Sequence, residues 1–144
     1  MAVSRAMRRL QQVLEIQESE CLAAIESARA ELTQLEQNLV RSIARERGGR
    51  RLAAASATTG EIVDRIAGIE ETGSARRLTA ALEPRIAEAQ AALDATRREF
   101  LSKRVERRQT ETLIEEAEAA GKVEAARRAQ KNLDDWFLSR RART

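Results

Sequence analysis

The stretch IESARAELTQLEQNL, residues 25–39, decides the fold of this 144-residue chain. Its apolar side chains recur every three or four positions, as at Ile25, Leu32 and Leu35. This spacing places them along one side of an α-helix and is typical of a coiled-coil seam. Continued towards the N-terminus at intervals of seven, the seam has two positions, occupied by Met7, Leu14, Cys21, Ala28 and Leu35, and by Gln11, Glu18, Ile25, Leu32 and Leu39.

The composition favours long helices over a compact core. Charged residues make up 34% of the chain, whereas aromatic residues make up 2% and are limited to Phe100, Trp136 and Phe137. Too few large side chains are present to fill a two-layer interior. Cys21 is the single cysteine, so no internal disulfide can form, and its seam position predicts burial. No apolar run approaches the roughly 20 residues that span a bilayer, and no secretory signal is present, so we expect a cytoplasmic protein.

A second helical pattern occupies the C-terminal half, from about Pro84 to Arg141. Its apolar positions keep a rough helical period without a proline interruption. They are Ile86, Ala89, Leu93, Phe100, Leu113, Ala117, Ala120, Val123, Leu133, Trp136 and Phe137.

Five of the six glycines and the only proline lie between these two patterns. The sharpest turn signal is EETGSARR, residues 70–77, where Gly73 can end one helix and Ser74 can cap the next. We therefore predict an all-α fold, a long antiparallel two-helix coiled-coil hairpin that forms a single domain over residues 1–144. The first arm covers about 3–71, the turn about 72–75 and the second arm about 76–141, with further breaks open near 48–49, 58–60 and 84.

In an antiparallel hairpin that turns near residue 73, two residues face each other when their numbers sum to ~147. Leu14 then faces Leu133, Trp136 lies near Leu10, and Phe100 meets Gly48 and Gly49. Trp136 has two interpretations at this stage. It can seal the open end of the hairpin against Leu10 and Met7, or it can be an interface anchor, a role that tryptophan often has.

The same folding predicts alternating bands of charge. Residues 1–12 carry three arginines and no acid, and residues 127–144 carry six cations and two acids, so the open end is basic. A second basic band, which we call the belt, is predicted where residues 41–51 face residues 97–108. The belt is either a solvated face or a docking site for an acidic surface. The belt also contains Arg107 and Arg108. The residues predicted to bind a partner there are Arg41, Arg45, Arg47, Arg50, Arg51, Arg97, Arg98 and Arg104.

Several classes of function are disfavoured. A chain with no histidine and one cysteine offers no ordinary zinc or redox-metal site, and it has no glycine-rich phosphate loop. Carboxylate pairs on a narrow helical hairpin have no cleft to shift their pKa values. We predict no enzymatic activity, no metal, no cofactor and no small-molecule ligand. A nucleic-acid-binding rod is a rival reading of the belt, but the acidic bands interrupt any phosphate track and no aromatics interleave with it.

The segment RRAQKNLDDWFLSRR, residues 127–141, together with the basic start SRAMRRLQQVLEIQESE, carries a family resemblance. An all-helical chain of this length that ends in an R-x-QK-x-x-D-[DE] element resembles the FliJ/YscO family, the central-stalk proteins of flagellar and injectisome type III secretion systems. The motif agreement covers Arg127, Arg128, Gln130, Lys131, Leu133, Asp134 and Asp135. Trp136 after the acidic pair favours the injectisome branch, which is associated with virulence.

The resemblance implies a coiled-coil stalk whose open end enters the central pore of the hexameric export ATPase. It also implies a contact with the export gate, for which the belt is the candidate surface, and export chaperones as further partners. Such a protein promotes ring assembly and ATP hydrolysis in the bacterial cytoplasm, and it reaches the inner membrane only through its partners. The alternative is a generic coiled-coil scaffold, or an export-chaperone-binding protein unrelated to the ATPase. The residues implied at the ATPase are Arg5, Arg8, Arg9, Leu10, Arg127, Arg128, Gln130, Lys131, Asp134, Asp135, Trp136 and Phe137.

Overall fold

The computed structural model describes residues 3–144 and contains two long helices that pack against each other. Helix α1 runs from Arg5 to Thr59 and helix α2 from Ile62 to Ala142. No strand occurs in residues 3–144. The predicted all-α helical hairpin is therefore confirmed.

The ends of the helices at the turn follow ordinary capping chemistry. Gly60 adopts a φ of 73°, the left-handed conformation that glycine reaches at little cost, and its N–H donates to the Ser56 carbonyl over 2.8 Å. Helix α2 starts two residues later, where the Arg65 N–H donates to the Glu61 carbonyl over 3.2 Å. At the other end of α1, Ser4 is the N-cap, because its hydroxyl oxygen accepts from the Met7 N–H over 3.1 Å.

The chain turns at Gly60 and Glu61 and not at residues 72–75, where we expected the bend. This turn lies at the edge of the range 58–60 that the sequence left open. Residues 72–75 stay inside α2, because Thr72 donates its hydroxyl proton to the Gly68 carbonyl of its own helix and Ala75 is fully buried. As a result the helices are unequal, with 55 residues in α1 and 81 in α2.

The other two expected breaks are not helix ends either. Pro84 lies inside α2, where it removes the hydrogen bond that its N–H would donate to the Ala80 carbonyl. Pro84 is exposed, so water can reach that carbonyl, and the nearby Leu82 is buried. Gly48 and Gly49 both lie within α1.

The residues group into two compact units. The first, here called the terminal unit, contains Met1–Glu20 and Glu99–Thr144, and the second, here called the turn unit, contains Cys21–Arg98. In the terminal unit the buried side chains are Leu14, Thr110 and Ile114. Along α1, every residue of the predicted seam from Met7 to Leu39 is buried or half-buried, which is the burial that a heptad pattern predicts.

Small side chains dominate the helix packing of the turn unit near the turn. Gly49 of α1 and Gly68 of α2 are both buried, and their backbones approach so closely that a Cβ on Gly68 would lie 2.6 Å from the Gly49 carbonyl oxygen. Ser42 is fully buried and hydrogen-bonds the Ala75 carbonyl over 2.8 Å and the Thr79 hydroxyl over 2.9 Å. Glycine here serves close helix approach, which explains why these positions do not break the helices.

Candidate functional site

The C-terminal part of α2 is the most unusual surface of the molecule. From Lys122 to Ala142, every residue of the helix is exposed. We call residues 122–142 the C-terminal extension. Among residues 3–144, the ion pair between the helices that lies nearest to the start of the extension joins Arg8 of α1 to Glu118 of α2 over 3.7 Å. A solvated helix of this length is marginally stable in water by itself, so interactions along its own surface matter.

The extension is held together by contacts one turn apart. Arg128 binds Glu124 over 2.7 Å and lowers the pKa of that carboxyl. The Gln130 amide donates to the Asp134 carboxylate over 3.0 Å. Pairs at this spacing each stabilise an isolated helix by about 0.2–0.5 kcal/mol. These contacts occupy the polar side of the extension and leave the apolar side uncovered.

An exposed aromatic cluster lies on that apolar side. Trp136 and Phe137 meet edge to face with their ring centroids 5.1 Å apart, and the Arg140 guanidinium carbon lies 5.0 Å from the Trp136 centroid. Leu133, one turn earlier, completes the apolar face. Trp136 is 51% exposed and Phe137 60%, so neither ring belongs to the packed core.

The extension is also basic. Six cations and three carboxylates give it a net charge of +3. Exposed aromatic rings beside arginine are a common composition of protein-binding hot spots, and net positive charge favours an acidic partner.

The two groups of residues predicted to form the ATPase-binding end are brought together only in part. Arg8 and Arg128 line one groove beside Glu118, whereas Trp136 and Phe137 do not line it. Arg5, Arg8, Arg9 and Leu10 lie in the first two turns of α1, and Arg8 pairs with Glu118. Trp136 lies 18 residues beyond Glu118 on the same helix, about 27 Å at 1.5 Å per residue. Trp136 therefore does not seal the hairpin against Leu10.

The changed register follows mainly from the position of the turn. In the turn unit Ser42 contacts Thr79, and the two numbers sum to 121 rather than ~147. In the terminal unit Glu18 pairs with Arg107 and Arg8 with Glu118, which gives sums of 125 and 126. Leu14 is buried within the hairpin, whereas Leu133 is exposed on the extension, so these two do not face each other. The buried Gly49 faces Gly68 and Thr72 in place of Phe100.

A half-buried ion cluster in the terminal unit was not anticipated. Arg107 donates to both Glu18 and Glu111, and these hydrogen bonds raise its pKa. Glu18 occupies a seam position, where a carboxylate needs a cation across the interface. The sequence carried that signal, but the predicted register placed Arg107 in the belt.

Two belt arginines of α1 contact acidic residues: Arg45 contacts Glu71 of α2, and Arg50 contacts Glu46 of its own helix. Arg45 makes a two-pronged contact with Glu71, at 2.6 and 3.2 Å, which raises the pKa of Arg45 and lowers that of Glu71. Glu46 accepts from both Arg50 and Arg76, at 2.6 and 2.9 Å. The expected opposition of like charges is therefore wrong for this part of the belt.

The remaining belt residues are distributed over both units. Arg41, Arg47 and Arg51 are exposed on α1, and Arg97 pairs with Asp94 on its own helix over 3.8 Å. Arg98 is the last residue of the turn unit, whereas Arg104 belongs to the terminal unit. Part of the charge of the belt is thus neutralised within the turn unit, and the binding of an acidic partner by the belt stays a prediction.

A second exposed apolar surface lies at the start of α2, next to the turn. Ile62, Val63, Ile66 and Ile69 are 71%, 79%, 53% and 58% exposed. We call these four residues the tip face. The spacing of the three isoleucines was a readable signal, but the expected continuation of the first arm to residue 71 concealed it.

No family model matches the chain, and no curated protein or solved structure is significantly similar to it. Within residues 3–144, no helix has the length and apolar character needed to cross a membrane. The function must therefore be argued from the two exposed surfaces themselves.

Proposed function

We propose that this chain is a stalk-like accessory protein of a bacterial type III secretion system. In this proposal the C-terminal extension binds the central pore of the hexameric export ATPase, promotes ring assembly and ATP hydrolysis, and links the ring to the export gate. The observation that carries the proposal is the solvated, basic extension with Trp136 and Phe137 exposed on one side. The protein acts by binding, with no catalysis of its own.

The chemistry of the extension suits a narrow acidic channel. A single helix is about 10–12 Å across with its side chains, so it needs less room than a helix pair. Arginine and lysine steer the approach to acidic walls, and the aromatic pair supplies contact area once water is excluded. The resemblance of residues 127–135 to the FliJ/YscO family supports the same assignment.

The remaining parts of the proposal follow from the resemblance. They are a location at the cytoplasmic face of the secretion apparatus, a contact with the export gate, and binding of export chaperones. The belt remains the candidate surface for the export gate, although Arg45 and Arg50 are engaged with carboxylates. The tip face is an alternative surface for either partner, because its large aliphatic side chains are accessible.

A generic scaffold unrelated to secretion is the second candidate, and the tip face is the observation that favours it. A nucleic-acid-binding rod has less support, since Arg45, Arg50 and Arg76 are engaged with carboxylates.

The decisive experiment titrates the protein into the purified export ATPase of the same cell, following the hydrolysis rate and hexamer formation together. We expect a saturable rise of both signals at one chain per six ATPase subunits. Trp136→Ala should weaken the rise while circular dichroism stays unchanged, because the ring is exposed. Leu138→Ala is the matched control, since Leu138 is 64% exposed on another side of the same helix. No rise with a folded wild-type hairpin would refute the proposal and leave the scaffold as the better account.

A further inference from the structure

The tip face is inverted relative to an ordinary amphipathic helix. A helix packed on one side normally turns its large apolar residues towards its partner. At the start of α2 the residues turned inwards are instead the half-buried Asp64 and the buried Gly68, and the four large aliphatic residues point to solvent. Gly68 is required there, because a Cβ would lie 2.7 Å from the Ala53 nitrogen.

The tip face has a definite shape and charge. Ile62, Ile66 and Ile69 are separated by four and three residues, so they form one stripe that is about 10 Å long at 1.5 Å per residue. Residues 61–70 contain three carboxylates and one arginine, a net charge of −2. A matching occupant therefore presents an apolar helical stripe of similar length together with positive charge.

The C-terminal extension is a segment of this kind. Leu133, Phe137 and Arg140 are separated by four and three residues, as are the isoleucines of the tip face, and Trp136 lies on the same side of the helix. The net charge of the extension is +3. Both stripes are exposed, so no segment of residues 3–144 covers either of them.

Charge selects among the ways in which two copies can associate. Contact between two tip faces brings −2 against −2, and contact between two extensions brings +3 against +3. Contact between a tip face and an extension joins opposite charges, so only this arrangement is favoured by electrostatic complementarity.

We propose that the chain self-associates head to tail, with the tip face of one copy bound to the Leu133–Trp136–Phe137 face of the extension of a second copy. This contact is heterologous, so a dimer keeps one unused tip face on one copy and one unused extension on the other. Association therefore continues beyond a dimer unless the geometry closes a ring. The contact needs only these two surfaces and does not depend on the ATPase. Where the ATPase is the partner of the extension, its ring and the second copy compete for the same apolar face.

The tip face contains only four side chains, which is less than a standard protein interface presents. We therefore expect a dissociation constant on the order of 10–100 μM, and weaker association at high salt. Sedimentation equilibrium of the full chain at about 5–500 μM tests this expectation. The average mass should rise above the 16.1 kDa of one chain with increasing concentration, and the rise should shrink when salt is raised from about 0.05 M to about 0.5 M.

Two double variants separate the possible arrangements. Ile62→Ser/Ile66→Ser disables the tip face, and Leu133→Ser/Phe137→Ser disables the extension. Each variant alone should associate about tenfold or more weakly than wild type, from the apolar burial that it loses. Their equimolar mixture should regain association but stop at a 1:1 dimer, because the surfaces left unused in that dimer are the two disabled ones. Leu138→Ser carries the same loss of helix propensity on another side of the extension and should associate as wild type does.

Other results would overturn the proposal. A wild-type chain that stays monomeric over the whole range excludes it. If the mixture does not regain self-association and only the tip-face variant is impaired, two tip faces contact each other. If only the extension variant is impaired, two extensions contact each other. Circular dichroism of each variant checks that the hairpin is intact. Trp136→Ala separates the contact between copies from the contact with the ATPase ring. Lost ATPase stimulation with normal self-association means that Trp136 does not take part in the contact between copies. Normal stimulation with lost self-association means that Trp136 does not take part in the ring contact.

Discussion

Two adjacent glycines of α1 have different environments. A Cβ placed on Gly48 would meet nothing within 4 Å, whereas one on Gly49 would lie 2.6 Å from the Thr72 hydroxyl oxygen and 2.8 Å from the Gly68 carbonyl oxygen. Gly49 lies where the two helices approach each other closely, and Gly48 lies on the solvent side. Their sequence context is nearly identical, so only the packing separates their roles.

We expect opposite effects when these glycines are replaced by alanine. Gly48→Ala should stabilise the chain by about 0.5–1 kcal/mol, because alanine restricts the unfolded backbone and suits a helix. Gly49→Ala should destabilise it by about 1–3 kcal/mol, since the helices must separate to admit the methyl group. Urea unfolding of both variants measures the difference. A Gly49→Ala variant as stable as Gly48→Ala would mean that the helices do not touch here.

The contact between Arg45 and Glu71 makes stability depend on pH. The pKa of Glu71 is lowered in the folded chain by its hydrogen bonds to Arg45. The folded state therefore favours the ionised carboxylate, and this contribution is present above the unfolded pKa of about 4.3 and is lost as pH falls through the folded pKa. Glu71→Gln should lower the unfolding free energy at pH 7 and have less effect near pH 3.

The neighbouring carboxylate is the control for that experiment. Glu70 is exposed and makes no ion pair among residues 3–144, so Glu70→Gln should lower the unfolding free energy at pH 7 less than Glu71→Gln does. Urea unfolding of the wild type, Glu70→Gln and Glu71→Gln between about pH 3 and pH 7 measures both effects. Equal profiles for the two variants would show that the contact with Arg45 does not persist in solution.

At the scale of the helix, α2 consists of a packed part and a solvated part. Ile114 is 8% exposed, whereas every residue from Lys122 onwards is exposed. The packed part gains stability from apolar burial, and the extension relies on contacts such as Arg128 with Glu124. A continuous helix can therefore have very different local stability along its length.

Amide hydrogen exchange should reveal this difference in dilute protein. We expect amides around Ile114 to be protected at least about 100-fold more than those around Leu133, because the extension opens without unfolding the hairpin. Mass spectrometry of proteolytic peptides resolves the two segments. Equal protection at low concentration would mean that the extension is covered within a single chain. Protection of the extension that grows with concentration is the outcome expected of head-to-tail association.

For the whole molecule, the seam of α1 could be predicted and the turn could not. Ile25, Leu32 and Leu35 repeat over enough heptads to fix both the helix and its buried side. Glycine, however, has two structural uses that look alike in sequence. Gly60 supplies a positive φ at the turn, and Gly49 permits close helix packing. Choosing between them requires knowing which residues lie opposite, which a single sequence does not contain.

The extension was hidden for a related reason. Leu133, Trp136 and Phe137 have the spacing of a packed helix, and their exposure depends only on where α1 begins relative to α2. An error of 13 residues in the turn, from 73 to 60, changes the expected sum of facing residue numbers by 26. That change is enough to place the C-terminal residues of the predicted basic open end on a solvated helix. The register is therefore the property of the whole hairpin that most needs a direct test.

A disulfide between the helices provides this test. The Ser42 and Thr79 oxygens lie 2.9 Å apart in the turn unit, so Ser42→Cys/Thr79→Cys should form an intramolecular disulfide on mild oxidation. Closing a loop of roughly 40 residues should stabilise the chain by about 4 kcal/mol on the chain-entropy estimate. The background is Cys21→Ala, which removes the native thiol. Ser42→Cys/Ala87→Cys is the control, because Ala87 is exposed and lies eight residues beyond Thr79 on α2. Non-reducing mass spectrometry detects the bond, and faster cross-linking of the control pair would mean that the helices pack in a different register.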